Sequence, residues 1–324
     1  MSRTDEKTDP VPAPVGWRAY VAIARPDHWI KHIIIVPGVA AAFMTVGGDF
    51  GEWLTVGPLS FLSAMAVSSA NYVINEWLDA GSDKHHPTKK ARPGAMGHLS
   101  RSIVVSEYVV LLLVGLALAR VVNIETFGFA FAFALAGFLY NVPPIRLKDR
   151  PYLDVLSEAV NNPLRVAIGW VSVSPTLPPL SLFVIFWFGA AFIMAVKRLS
   201  EYRFIVRKTG RESAVRYRFS FRGYSERSLL LSSFAYALLT AFGTGVFLIK
   251  YRTEYVFALP LFAALFCYYF WIGLADQAIT QTPERLHGDR LLMQIVGLLV
   301  VVLAALSLVD LPWIDELILS VPRP

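Results

Sequence analysis

Cysteine is nearly absent from this chain of 324 residues: Cys267 stands alone inside an apolar run, so no intrachain disulfide can form. Charge is scarce as well. Asp, Glu, Lys and Arg make up 17% of the sequence, against about a quarter in soluble domains. That excludes an ordinary water-soluble globule and points to lipid as the solvent for much of the surface. No Cys/His spacing of the zinc-site kind occurs, and the net charge of +6 is carried by basic residues lying between apolar runs. Orientation in a membrane and phosphate binding are the expected uses, and no nucleic acid partner is expected. The first sixteen residues are polar and lack the apolar stretch of a signal peptide. They read as a disordered cytoplasmic tail, 1–16, ahead of a single transmembrane domain, 17–324.

What is abundant is apolar sequence, at 55% of residues. A helix needs about 20 mostly apolar residues to cross a bilayer. Such runs are predicted over 29–47, 54–78, 102–121, 124–141, 153–173, 180–200, 227–249, 254–275 and 291–310. The expected fold class is all-α, a polytopic membrane bundle of about nine transmembrane helices, with Pro37 and Pro58 interrupting the first two spans. Positive charge alternates between connections. Lys84, Lys89, Lys90, Arg92 and Arg101 follow the second span, Arg146, Lys148 and Arg150 the fourth, and a long basic stretch from Arg203 to Arg227 the sixth. The odd connections are short and poor in charge, Lys250 and Arg252 excepted. Basic loops face the cytoplasm. The expected location is therefore the plasma or inner membrane, with the N-terminus and every even connection on the cytoplasmic side.

The chemistry-bearing residues gather where spans end on that side. Asn75, Asp79 and Asp83 fall at i, i+4 and i+8, with Glu76 three residues before Asp79, so their oxygens share a helical stripe. Acids on one stripe repel unless a cation sits among them, and magnesium takes oxygen ligands, commonly one or two carboxylates plus substrate phosphates. The plain alternative is a solvated helix end. Lys84, His86, Pro87, Thr88, Lys89, Lys90 and Arg92 follow at once; they suit either a diphosphate or membrane orientation alone. The sixth span closes on Lys197-Arg198-x-x-Glu201, a second acid-and-base wall on the same side, or a charged helix end with a Lys197–Glu201 pair. Tyr140, Pro143, Pro144, Arg146 and Lys148 form a stiff loop over the same mouth, followed by Asp154 and Glu158. Arg165 lies deep in the fifth span and calls for a partner, with Glu158 the candidate. Arg25-Pro26-x-x-Trp29-x-Lys31-His32 opens the first span, Trp29 as an interfacial anchor.

These residues together resemble the UbiA superfamily of membrane prenyltransferases. Asn75-Glu76-x-x-Asp79-x-x-x-Asp83 is similar to that family's Asn-Asp-x-x-Asp-x-x-x-Asp signature, with Glu76 in place of Asp, and Lys197-Arg198-x-x-Glu201 stands where its second acidic motif falls. Arg25-Pro26-x-x-Trp29-x-Lys31, His86 to Pro93 and the Glu201 motif look like the decaprenyl-phosphate phosphoribosyltransferase branch, although His32 replaces its usual Asn. The Tyr140 to Lys148 loop looks more like branches that prenylate aromatic or tetrapyrrole acceptors. The resemblance implies a transferase using Mg2+, bound by Asn75, Glu76, Asp79, Asp83 and Glu201. Asp79, Asp83, Lys148 and Lys197 would be catalytic, and Lys31, Lys89, Arg92, Tyr140, Arg146 and Arg198 would bind substrate. Its reactants would be a diphosphate substrate and a polyprenyl lipid. Two transfers stay open: phosphoribosyl transfer from phosphoribosyl diphosphate to a polyprenyl phosphate, and prenyl transfer to an aromatic or other acceptor. Tyr72 or Trp77 would steady an allylic cation in the second case, and the Arg203–Arg227 connection would cap the site. The competing class is a transporter or lipid-binding protein without catalysis.

Overall fold

The computed structural model describes residues 15–84, 89–275 and 288–319, apart from the side chains at 82, 89, 315, 316, 318 and 319. Most of the expected tail lies outside these residues. So do His86, Pro87, Thr88 and the side chain of Lys89.

The described residues fold as helices: α1 Trp17–Ile23, α2 Val36–Thr45, α3 Phe50–Asp83, α4 Arg101–Val122, α5 Ile124–Asn141, α6 Leu153–Ala159, α7 Asn161–Val173, α8 Leu180–Thr209, α9 Arg211–Tyr217, α10 Glu226–Tyr251, α11 Leu259–Leu274, α12 Arg290–Leu308 and α13 Pro312–Leu319. Tighter 3-10 segments, Pro26–Ile35, Leu147–Asp149 and Phe219–Gly223, join some of them. Several starts are fixed by side chains that satisfy the free N–H groups of a first turn. Asn123 accepts from the Thr126 N–H at 2.6 Å, Asp289 accepts from the Leu292 N–H at 2.9 Å, and Ser225 and Ser228 exchange bonds in a capping box.

Among the described residues, eight helical stretches are long and apolar enough to cross a membrane. The protein is a multi-pass membrane protein. The expected fifth span, 153–173, is two consecutive helices, α6 and α7, with Val160 between them. The physical cause is Pro163, which has no N–H for the Ala159 carbonyl. The Asn162 side-chain amide donates to that carbonyl instead, at 3.3 Å, so the chain turns without leaving the group unsatisfied. Pro58 does not interrupt the second span as expected. It lies within the unbroken 34-residue α3. Pro37 sits in the first turn of α2, where its missing N–H costs nothing. The basic stretch after α8 is mostly ordered as α9 and a 3-10 turn, with Arg211, Arg216 and Arg222 exposed.

The short helix α7 is the axis of one half of the bundle. Every residue from Pro163 to Ser172 is buried, against α2, α3, α5 and α8. Ile35, Val67, Phe133, Leu164 and Ile168 form the core there. Large apolar side chains such as Phe234, Phe242, Leu298 and Val301 point outward from α10 and α12, as lipid-facing surfaces require. Two glycines let α7 touch its neighbour backbone to backbone: a Cβ on Gly38 would strike the Val166 carbonyl, and one on Gly169 the Ile35 carbonyl. Small residues at such crossings are how membrane helices pack closely. Gly38→Val is expected to destabilise the protein by about 1–3 kcal/mol, the usual cost of overpacking, read as a lower melting temperature in detergent; an unchanged melt would show that the crossing relaxes freely.

Candidate functional site

The stripe at the end of α3 meets the loop after α5. Lys148 Nζ donates to Asp79 Oδ1 at 2.7 Å, to Asn75 Oδ1 at 2.9 Å and to Asn141 Oδ1 at 3.0 Å. Arg146 Nη2 donates to the same Asp79 oxygen at 2.8 Å, while its Nε bonds Asp149 at 2.8 Å. One turn on, Asp83 accepts from Arg92 Nη1 at 3.0 Å, and Glu76 accepts from the Gly94 N–H at 3.3 Å. Arg25, Glu76 and Arg92 line a cavity of about 320 Å³ at this mouth. Burial pushes the Lys148 ammonium below the ordinary lysine range, an effect that the Asp79 carboxylate opposes.

A second cluster centres on Arg198, which is 2% exposed. Its Nε donates to Asp154 at 3.3 Å, its Nη1 to Glu201 at 3.3 Å and its Nη2 to Glu158 at 3.1 Å. From the stretch after α9, Arg218 lies 4.0 Å from both Asp154 and Glu201, Ser220 donates to Asp154 at 2.9 Å, and the Tyr224 hydroxyl donates to Asp154 at 2.7 Å. Burial, reinforced by Asp154, raises the Tyr224 phenol above its usual range, so it remains a donor. The connection thus does lie over the second acid cluster.

Tyr140 joins the two clusters. Its hydroxyl donates to Glu158 at 3.0 Å, and Lys148 Nζ stands 5.9 Å from the centre of its ring. A continuous path of contacts therefore runs Asp79, Lys148, Tyr140, Glu158, Arg198, Glu201. Among the described residues, Arg25, Arg146 and Tyr152 are the non-glycine residues with positive φ, at 53°, 36° and 66°. Arg146 bonds Asp79 at the head of this path, Arg25 lines the adjacent cavity, and the Tyr152 N–H bonds the Tyr224 hydroxyl. Strained backbone of this kind persists where surrounding structure holds a site in shape.

Some expected pairings differ. Glu201 pairs with Arg198 three residues before it, not with Lys197. Lys197 is half-buried, near enough to Glu158 to act on it electrostatically. Arg165 does not pair with Glu158, whose Oε2 is taken by Tyr140 and Arg198. Lys31 is exposed, its Nζ 3.3 Å from His28 Nδ1, and the His28 ring meets Tyr72 edge-on at 5.0 Å. Among the described residues, no three His, Cys, Asp or Glu side chains converge as a ready metal cage. Asp79, Asp83 and Glu201 each hold a lysine or arginine instead. The sequence names Asp154 and Glu158 beside the loop without a role, places Arg218, Ser220 and Tyr224 only within the capping connection, and does not single out Asn141. The acids Asp154 and Glu158, four apart at the start of an apolar run, were the available signal.

The UbiA prenyltransferase family model matches residues 34–296. Over 189 residues the chain is 28% identical to the decaprenyl-phosphate phosphoribosyltransferase of Mycobacterium tuberculosis, covering 56% of this chain and 59% of that protein. The matched stretch thus spans under two thirds of that relative. A 4-hydroxybenzoate octaprenyltransferase of Actinobacillus pleuropneumoniae is 27% identical over 263 residues, which is 79% of this chain and 84% of that one. The solved structure of a UbiA homolog from Archaeoglobus fulgidus bound to DMAPP and Mg2+ superposes with a TM-score of 0.65 at 22% identity, over 90% of this chain and all of that one. At that identity the likeness is one of fold. The chain belongs to the UbiA prenyltransferase family.

Proposed function

We propose that this member of the UbiA prenyltransferase family is a magnesium-dependent transferase that ionises a diphosphate substrate at the cytoplasmic face of the cell membrane and joins it to an acceptor, with a polyprenyl lipid as one reactant. The observation that carries this is the contact path from Asp79 to Glu201. It gives one mouth two acidic walls, each already furnished with bases.

The donor set suits magnesium, being all oxygen. Magnesium needs only one or two carboxylates when phosphates complete its shell, so a preformed cage of three is not required. Asp79 and Asp83 would hold it from one wall and Glu201 from the other, with Asn75 and Glu76 beside them. When bound, the metal neutralises charge on the leaving diphosphate. The protein's own part is an exchange of partners: Lys148, Arg146, Arg92 and Arg198 now hold carboxylates, and would turn to phosphate oxygens as those carboxylates take metal. Arginine offers a planar fork to phosphate, and lysine a compact charge. As the carbon–oxygen bond to diphosphate breaks, its electron pair leaves with the diphosphate, and these preset charges stabilise the developing anion. The carbon left behind is cationic, and an acceptor atom bonds to it. A phosphate oxygen does so directly, while an aromatic carbon then gives up its ring proton.

Our preferred substrates are phosphoribosyl diphosphate and a polyprenyl phosphate, supported by the Arg25–Lys31 and Lys197–Glu201 patterns and by the names of the mycobacterial relatives. Prenyl transfer to an aromatic acceptor is the second reading, supported by the Tyr140–Lys148 loop and the octaprenyltransferase relatives. Detergent-purified protein offered each labelled pair separately should put label into lipid with one pair only. Chelation of magnesium with EDTA should abolish that incorporation and added Mg2+ restore it. Incorporation that survives EDTA, or none with either pair, would overturn the proposal.

A further inference from the structure

Arg165 on α7 is 9% exposed, deep in a segment buried along its length. Its guanidinium lies 4.9 Å from the centre of the Phe133 ring. Its Nε is sealed without an acceptor, and among the described residues neither carboxylate nor carbonyl accepts from it. A buried arginine without a counter-ion is costly. Its neighbours are unsatisfied too. Asn161, one turn back on α7, has a sealed Oδ1 with no donor, as has Asn71 on α3, and His32 has a sealed Nδ1 with no partner. His32 and Tyr72 lie within electrostatic reach of Arg165. Asn71 meets the residue whose ring faces Arg165, its amide donating to the Phe133 carbonyl at 3.4 Å.

The position of this cluster relative to the acid stripe is readable from α3. Asn71, Asn75, Asp79 and Asp83 follow at four-residue steps, each about 6 Å along the helix axis. Asn71 is therefore one step inward from Asn75 and two from Asp79 along α3. An anion held there would lie beside the reacting carbon, with the diphosphate further out.

We propose that Arg165, with Asn161, His32 and Asn71 around it, binds the oxyanion head of the acceptor, a phosphate monoester or a carboxylate, in a subsite separate from the one that takes diphosphate. This rests on the transferase reading above. A monoester or carboxylate gives the guanidinium fork two acceptor oxygens and supplies the missing counter-charge. A neutral head group gives neither.

The test uses the full chain in detergent with three probes that share one tail: farnesyl phosphate, farnesoate and farnesol, all in EDTA. One of the two anions should bind at least tenfold tighter than farnesol, and which one identifies the head group. In Arg165→Gln that preference should vanish, and in Arg165→Lys it should fall severalfold, while magnesium-dependent binding of inorganic pyrophosphate stays as in the parent. The unsubstituted chain gives a second reading: pyrophosphate with Mg2+ should not displace the anionic probe. No preference for either anion, an Arg165→Gln protein that keeps the preference, or simple competition by pyrophosphate would each overturn the subsite. Loss of magnesium-dependent pyrophosphate binding in the parent chain would instead count against the transferase reading, which separates the two failures.

Discussion

Asp79→Ala is expected to lower turnover about a hundred- to a thousandfold, the scale seen when one preset electrostatic partner of a developing charge is removed, while the protein still folds in detergent. The reasoning is local. Asp79 Oδ1 alone receives both Lys148 Nζ and Arg146 Nη2, at 2.7 and 2.8 Å. On the proposed mechanism, removing it deletes a carboxylate that would hold the metal, and it also deletes the anchor that holds Lys148 and Arg146 at the mouth. Asp79 is partly exposed, so the truncation opens no large buried void, and Lys148 keeps Asn75 and Asn141 as acceptors. The assay is incorporation of label at saturating magnesium beside a melting curve. Turnover near the parent's would remove Asp79 from the site, and a collapsed melt would show a structural role instead.

Arg198→Met should act the other way round, on the fold before the chemistry. Arg198 is the shared partner of Asp154, Glu158 and Glu201, and Asp154 is fully buried. Breaking a buried ion pair from one side costs about 3–5 kcal/mol because the remaining charge is stranded. Here three carboxylates lose a common partner, and Arg218 at 4.0 Å is too far to replace it fully. The expected result is a large drop in melting temperature or failure to accumulate in the membrane. Asp154→Asn combined with Arg198→Met should recover part of the loss, because one stranded charge is gone. A single variant that melts like the parent would show that Arg198 is dispensable for the fold.

Much of this was legible in the sequence, for identifiable reasons. Spans such as α4 and α12 are long apolar runs with ends marked by charge or a capping residue, and hydropathy reads them directly. The stripe from Asn75 to Asp83 was legible because helical spacing alone puts its oxygens on one face. The division of 153–173 was not. Its cause is the Asn162 amide filling a carbonyl left bare by Pro163, a side-chain event that apolar periodicity does not register. Nor was the choice of Arg198 over Lys197. Spacing favours the i, i+4 pair, but Arg198 faces α6, where Asp154 and Glu158 lie 44 and 40 residues back in the chain. Tyr224 and Ser220 were invisible for the same reason, since tertiary packing alone brings them to Asp154. A transporter would be expected to place its charged residues on unrelated elements near mid-membrane; the shared path through Tyr140 favours a single transferase mouth.

The most direct measurement is an experimental structure of the full chain with Mg2+ and a non-hydrolysable analogue of the diphosphate substrate. The account predicts one metal-bound diphosphate flanked by Asp79 on one side and Glu201 on the other, with Lys148 and Arg198 turned toward phosphate oxygens. A diphosphate seated away from both acids, with Lys148 still on Asp79 and Arg198 still on Glu201, would contradict it.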